Sequence, residues 1–236
     1  MLINGFNAVQ EALDAGTTIE KIYIEKGAFS EKLRKISAIA KERKIRIFYL
    51  EKEELEAMAK MKVQKVLAEI TDYKYFTLDE ILAQNEKPHL ILLLDGVQDP
   101  HNLGAIIRVA DCAGATGVVI PRHRSVTVND TVIKTSAGAT AHVKIAKVTN
   151  INDTIRELQD RFITVFATDM EGDLIYDANL DGDVAIVIGG EGLGVKALTK
   201  KLADGVISLP QLGKINSLNA SVAAGIVLYE AVRQRI

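Results

Sequence analysis

At 236 residues, with 48% hydrophobic and 25% charged residues and a formal net charge of −2, the chain has room for one large domain or two modest ones with real cores. The charge excludes a uniformly basic nucleic-acid binder but not a local basic patch that meets phosphates. Apolar runs fall short of the roughly 18 residues a membrane helix needs, and the start, Met1-Leu2-Ile3-Asn4-Gly5, lacks the basic flank of a secretory signal. A single cysteine, Cys112, rules out an internal disulfide, so the cytoplasm is the expected compartment.

The N-terminal part reads as a small α/β module of about 70 residues, a size at which a domain still folds alone. Ile19 to Ile24, Ile45 to Leu50 and Lys65 to Ile70 pattern as strands, and Glu31 to Lys44 spaces Leu33, Ile36 and Ala40 as an amphipathic helix. Tyr73 to Ala83 reads as a linker running into a short helix closed by Asn85 and Pro88. The expected organisation is therefore a domain over 1–74, a linker over 75–88 and a second domain over 89–236. Basic residues gather in two groups, one with Lys32, Arg34, Lys35, Lys41, Arg43, Lys44 and Arg46, the other with Arg122, His123, Arg124, Lys134, Lys144 and Lys147. Solvated helix faces and RNA contacts both account for them.

In the second part, Leu90 to Leu94 is an unbroken apolar run, read as a strand buried on both faces. Asp95 to Gly104 follows as a turn, with Asn102 as N-cap of a helix through Ala113 that carries Arg108 and a small, buried Cys112. Ile163 to Ala167 is a further strand with Thr168 at its end. Val184 to Ile188 is another, running into Gly189-Gly190-Glu191-Gly192-Leu193-Gly194. Glu191 is a solvated turn residue or a working carboxylate; the glycines admit backbone conformations and close approaches that side chains block. Near the C-terminus, Leu209-Pro210-Gln211-Leu212-Gly213-Lys214-Ile215-Asn216-Ser217-Leu218-Asn219-Ala220-Ser221 leads into the apolar segment Val222 to Val232. Ser217, Asn219 and Ser221 cap that helix or orient a ligand at its free N–H groups. Each of these loops follows the C-terminal end of a strand, where open parallel sheets place their ligands. His89, His101, His123 and His142 lack the spacing of metal ligands, so no metal is expected. A dinucleotide-binding fingerprint fails because Gly190-x-Gly192 would require glycine at Val195.

Asp99-Pro100-His101-Asn102-Leu103-Gly104-Ala105-Ile106-Ile107-Arg108, Ile188-Gly189-Gly190-Glu191-Gly192-Leu193-Gly194, and Leu209-Pro210 followed by Ser217-Leu218-Asn219-Ala220-Ser221 resemble, in order, the three motifs of the SpoU (TrmH-like) branch of the SPOUT methyltransferases. The resemblance spans roughly Leu90 to Arg235. It implies a mostly parallel α/β sheet with helices on both sides, a C-terminal trefoil knot, S-adenosylmethionine as cofactor, RNA as partner and 2′-O-methylation of a ribose. It further implies a homodimer with the helix from Ser217 to Arg235 at the interface and Val222, Ala223, Ile226, Val227 and Ala231 buried in a core or between subunits. Asn102, Arg108, Glu191, Ser217 and Asn219 match catalytic-site positions. Gly189, Gly192, Leu209 and Leu218 match the cofactor-contacting loops, and Thr168 is placed in the adenine pocket. The N-terminal module resembles the L30e-like substrate-binding domain of the ribosomal-RNA members, with Asn7 where the family commonly has His and Val63-Gln64-Lys65 where it has His-Gln-Gly. A guanosine of 23S ribosomal RNA is the implied target; transfer RNA, or RNA binding without catalysis, are the alternatives.

Overall fold

The computed structural model describes residues 2–14, 16–71, 73–83, 88–214 and 217–236; Met1, Asn85, Ile215 and Asn216, named above, lie outside the described residues. The chain divides into two units, Met1–Lys74 and Tyr75–Ile236.

In the first unit β1 (Leu2–Asn4), α1 (Phe6–Asp14), β2 (Thr18–Glu25), α2 (Glu31–Glu42), β3 (Arg46–Leu50), α3 (Lys52–Ala59) and β4 (Val66–Thr71) follow in sequence. The sheet order is β1-β4-β2-β3, with β2 and β3 parallel and β4 antiparallel to both its neighbours. Strand alternation sends Ile22, Ile24, Val66 and Ala68 to a core with Val9 and Leu13 of α1 and Leu33, Ile36 and Ala40 of α2. Tyr23 and Leu67 belong to a second cluster, with Leu55 of α3. Ser30 caps α2 by accepting from the Leu33 N–H, which sets the start of that helix.

The second unit runs α4 (Leu78–Leu82), β5 (Leu90–Asp95), α5 (Pro100–Cys112), β6 (Gly117–Pro121), α6 (Asp130–Thr135), β7 (Ile145–Val148), α7 (Ile151–Asp160), β8 (Thr164–Leu174), β9 (Val184–Gly189), α8 (Ala197–Leu202), β10 (Gly205–Ser208) and α9 (Ala220–Arg235). Its six strands lie in the order β10-β8-β9-β5-β6-β7, and every pairing is parallel. The continuous apolar runs have the expected cause: all six residues of β5 are buried, as befits a strand covered on both faces. The chain builds outward from β5 through β6 to β7, then crosses to β8 and returns to set β9 between β8 and β5. The sheet therefore switches direction between β9 and β5, and the loops after β5, β8, β9 and β10 all open at the same end.

Four expectations need correction here. The described part of the 75–88 stretch is bound into the second unit: Phe76 bridges to Ala146, and Leu78 and Ile81 sit in its core. Its helix is stopped at the front by a Thr77–Glu80 capping box. The N-cap of α5 is Asp99, which accepts from the His101 N–H, with Pro100 in the first turn; Asn102 is already inside the helix. Cys112 is exposed because the buried stripe of α5 runs through Leu103, Ile107 and Ala110, and Cys112 shares the outer face with Arg108, one turn before it. Finally α9 starts at Ala220, not Ser217; on it Val227 and Ala231 are buried within the chain's own core, while Val222 and Ile226 are exposed in the single chain, which keeps the between-subunits alternative open for them.

The opposite end of α9 is anchored by Arg235. Its guanidinium donates to the carbonyls of Leu180 (3.0 Å), Pro88 (3.2 Å), His89 (3.1 Å) and Gly182 (2.7 Å). Burial pulls its pKa below the ordinary arginine value, opposed by Asp181 and Asp183.

Candidate active site

At the switch end of the sheet, the loop after β9 folds against the loop after β5. The Gly190 N–H donates to the Asp95 carbonyl, the Gly194 N–H returns to the Gly190 carbonyl, and Gly192 (φ +82°) and Gly194 (φ +60°) occupy left-handed backbone. A methyl group on Gly189 would overlap the Gly194–Val195 backbone, and one on Gly190 would overlap the Gly96 carbonyl. These two glycines thus serve the approach of chain to chain. Beneath them Asp95, only 3% exposed, accepts from the Lys196 ammonium, from the Lys196 N–H and from the Thr199 hydroxyl, fixing the start of α8.

The three motif loops meet in one hydrogen-bonded chain. Asn102 is buried on α5, and its amide N–H donates to Glu191 while its carbonyl oxygen accepts from Asn219 Nδ2 at 3.0 Å. The oxygen of Asn219 in turn caps α9, accepting from the Ser221 N–H at 2.9 Å and the Ser221 hydroxyl at 2.6 Å. Asn219 is therefore both the cap and the link, because each end of its amide has a different partner. Ser217 takes no part in capping.

A cavity of about 410 Å³ opens beside this chain. Glu191, Ser217 and Asn219 line it, as do Thr168, Gly189, Gly192, Leu209 and Leu218; Asn102 stands behind the rim. Thr168 commits its hydroxyl to the Val187 carbonyl at 3.0 Å. The sequence reading missed Asp169, Met170, Ile207 and Gln211, which also line the cavity. Position alone marked Asp169, directly after Thr168; nothing in the local pattern marked the rest. Arg108 is not brought in: it is exposed on α5, does not line the cavity, and pairs with no carboxylate among the described residues, Glu191 included. The second basic group also divides, since Lys144 lies over the Phe76 ring and Lys147 over the Tyr75 ring, whereas Arg122 and Arg124 are exposed on the loop after β6.

The comparisons with known proteins converge on one family. Residues 89–229 match the SpoU rRNA Methylase family, and residues 2–76 match the pattern described as RNA 2′-O ribose methyltransferase substrate binding. The chain belongs to the SpoU methylase family. It is accordingly an RNA methyltransferase of the SpoU/TrmH kind, and S-adenosylmethionine is the cofactor of that family. A TrmH family tRNA/rRNA methyltransferase of Staphylococcus aureus is 43% identical over 239 residues, covering 99% of this chain and 96% of the relative. Its Bacillus subtilis counterpart is 40% identical over 237 residues, covering 98% and 94%. Among solved structures, the SpoU methyltransferase AviRb from Streptomyces viridochromogenes in complex with AdoMet has a TM-score of 0.64 at 25% identity, covering 100% of this chain and 90% of that one.

Within the family frame the cavity suits its ligand. Its walls carry apolar Ile188, Ile207, Leu209 and Leu218, and among the described residues the ionisable side chains lining it are the carboxylates of Asp169 and Glu191; Asp169 is paired with Lys200, which leaves the Glu191 carboxylate to favour a cationic ligand. Among the described residues no group of His, Cys, Asp and Glu could hold a metal ion, and no helix is long and apolar enough to cross a membrane.

Proposed function

We propose that the protein methylates a ribose 2′-hydroxyl of RNA, with a guanosine of 23S ribosomal RNA as the target, acting in the cytoplasm as a homodimer. The observation that carries this reading is the hydrogen-bonded chain from Glu191 through Asn102 to Asn219, which draws three separated motif loops to the edge of one cavity. When bound there, S-adenosylmethionine supplies a methyl group on a sulfonium, an already activated leaving group.

The chain's own residues then have four tasks. The glycine-walled loop over 189–194 and the loop from Leu209 enclose the donor, in the manner of the trefoil knot that we assign to this part of the chain. Glu191, held by Asn102 through one carboxylate oxygen, faces the cavity and orients the accepting hydroxyl. Ser217 and Asn219 fix the ribose from the start of α9. Arg108 binds the phosphate beside the target ribose and stabilises the alkoxide as its proton passes to solvent water; a guanidinium, a strong donor that holds its own protons, serves better as a donor than as a base.

Arg108 precedes Val109, which lies against Gly225 of α9, and α9 exposes Val222, Ile226 and Tyr229. A second copy seated on that apolar stripe covers it and puts Arg108 at the subunit boundary. Arg122 and Arg124 stand on a loop tied to Val97 by the Val126 N–H and the Ser125 hydroxyl, beside the Gly96 that abuts Gly190, and supply further phosphate contacts.

Mapping 2′-O-methyl marks in ribosomal and transfer RNA from cells with and without the gene tests the proposal. Loss of one mark in 23S RNA is the expected result. Loss of a transfer-RNA mark instead would move the target, and an unchanged map would refute the activity.

A further inference from the structure

Two carboxylates line the cavity, and only Glu191 belongs to the motif cluster. Asp169, the residue after Thr168 on β8, stands with Met170 and Ile207 along the β8–β10 wall. A carboxylate facing a largely apolar cavity is costly to keep unless it is paired. Here the partner comes from behind: Lys200, in the last turn of α8 and outside the cavity lining, reaches Asp169 Oδ2 at 2.6 Å, while Oδ1 accepts from the Glu171 N–H at 3.1 Å. The two side chains are 32% and 21% exposed, so the pair is shielded but not sealed. The Lys200 hydrogen bond, partly offset by burial, holds the Asp169 carboxyl below the ordinary aspartate value. The wall thus presents an ionised acceptor in a fixed orientation.

What it accepts follows from the layout. The reacting end of a methyl donor belongs beside Glu191, Ser217 and Asn219, which leaves the nucleoside half to the apolar wall of Ile207 and Leu209. A nucleoside carries one pair of adjacent hydroxyl donors, and burying them without acceptors is unfavourable. The Thr168 hydroxyl next door already donates to a backbone carbonyl. We infer that Asp169 is a further donor-binding residue: its carboxylate accepts hydrogen bonds from the ribose hydroxyls of S-adenosylmethionine, and Lys200 is the positioning residue that holds it. This rests on the reading of the cavity as the cofactor site.

The test is calorimetric titration of the full chain with S-adenosylhomocysteine and with its 2′,3′-dideoxy analogue. Asp169→Asn should weaken S-adenosylhomocysteine binding about tenfold or more, as for a lost hydrogen bond to a charged group, while the dideoxy analogue binds wild type and variant about equally. Lys200→Met should weaken binding less at neutral pH. Its affinity should then fall at a higher pH on acidification than that of wild type, because Asp169 is no longer held ionised. Unchanged affinity in a correctly melting Asp169→Asn chain, or equal loss for both ligands, overturns the inference while leaving the cofactor site standing. If Asp169→Asn melts early, the pH profile of Lys200→Met decides, and a profile like wild type overturns it. A wild-type chain that binds neither ligand refutes the cavity assignment itself.

Discussion

The two ends of the six-stranded sheet use hydrogen-bonded polar groups in opposite ways. At the end where β5 and β9 begin, Arg235 donates to four backbone carbonyls and Gln234 exchanges hydrogen bonds with Leu180 and Ala178, so the polar atoms close on one another. At the end where those strands finish, Asn102, Glu191 and Asn219 are also linked, but their network borders a cavity and leaves the Glu191 carboxylate, Ser217 and Asp169 facing it. Arginine shows the contrast most sharply. Arg235 is consumed by structure, whereas Arg108 is exposed without a carboxylate partner among the described residues. Closed networks hold a fold; networks with capacity left over are where a substrate completes the pairing.

Substitutions at each end separate the two kinds of network. Gly190→Ala acts where the two central loops touch, and the added methyl overlaps the Gly96 carbonyl, so thermal and urea unfolding should show a loss of about 3 kcal/mol or more together with loss of cofactor binding. A Gly190→Ala chain as stable as wild type would mean that the loops part at little cost and that their contact does not shape the cavity. Arg235→Ala comes next. Removing the guanidinium breaks its four hydrogen bonds to carbonyls, of which those of Pro88 and Gly182 are open to water, for an expected cost of about 1 to 2 kcal/mol in urea unfolding, with the affinity for S-adenosylhomocysteine unchanged because nothing at the cavity end is touched. Coupled loss of affinity would show that the two ends are not separate. Asn102→Ala lies between the classes: about 1 kcal/mol of stability from its broken hydrogen bonds, and a fall in methyl transfer of about a hundredfold as Glu191 and Asn219 lose their bridge. Activity within a few-fold of wild type would remove Asn102 from the proposed machinery. Arg108→Ala should be the mildest for folding, within about 0.5 kcal/mol, since an exposed side chain without a carboxylate partner among the described residues leaves little unsatisfied.

How far the sequence announced this site depends on the kind of signal. Strands buried on both faces are legible because their apolar runs are uninterrupted, and β5 and β9 fall where those runs are. The loops that follow them are legible from their glycine and polar content, and Glu191, Ser217, Asn219, Thr168, Gly189, Gly192, Leu209 and Leu218 all border one cavity. Capping is less legible, because Asp99 and Asn102 are equally good caps by type and the choice is settled by Pro100, which fits the first turn of a helix. For Asp169 the sequence offered only its place after Thr168, not its pairing: its partner Lys200 is distant along the chain, and the packing of α8 against β8 brings them together. The glycines carry a similar lesson. Their pattern suggested close approach to a ligand, and the approach that Gly189 and Gly190 permit is to Gly194 and Gly96. For Arg108, sequence resemblance supplied a role that the geometry of one chain does not complete, since it faces outward one helix from the cavity.

The most direct measurement follows methyl groups from labelled S-adenosylmethionine into RNA, with the products digested to nucleosides, for the wild-type chain and Arg108→Ala. Label is expected in a 2′-O-methylnucleoside with the wild type and none with Arg108→Ala, although the variant melts like wild type and binds S-adenosylhomocysteine as well. Label on a base, or wild-type turnover in the Arg108→Ala chain, would contradict it.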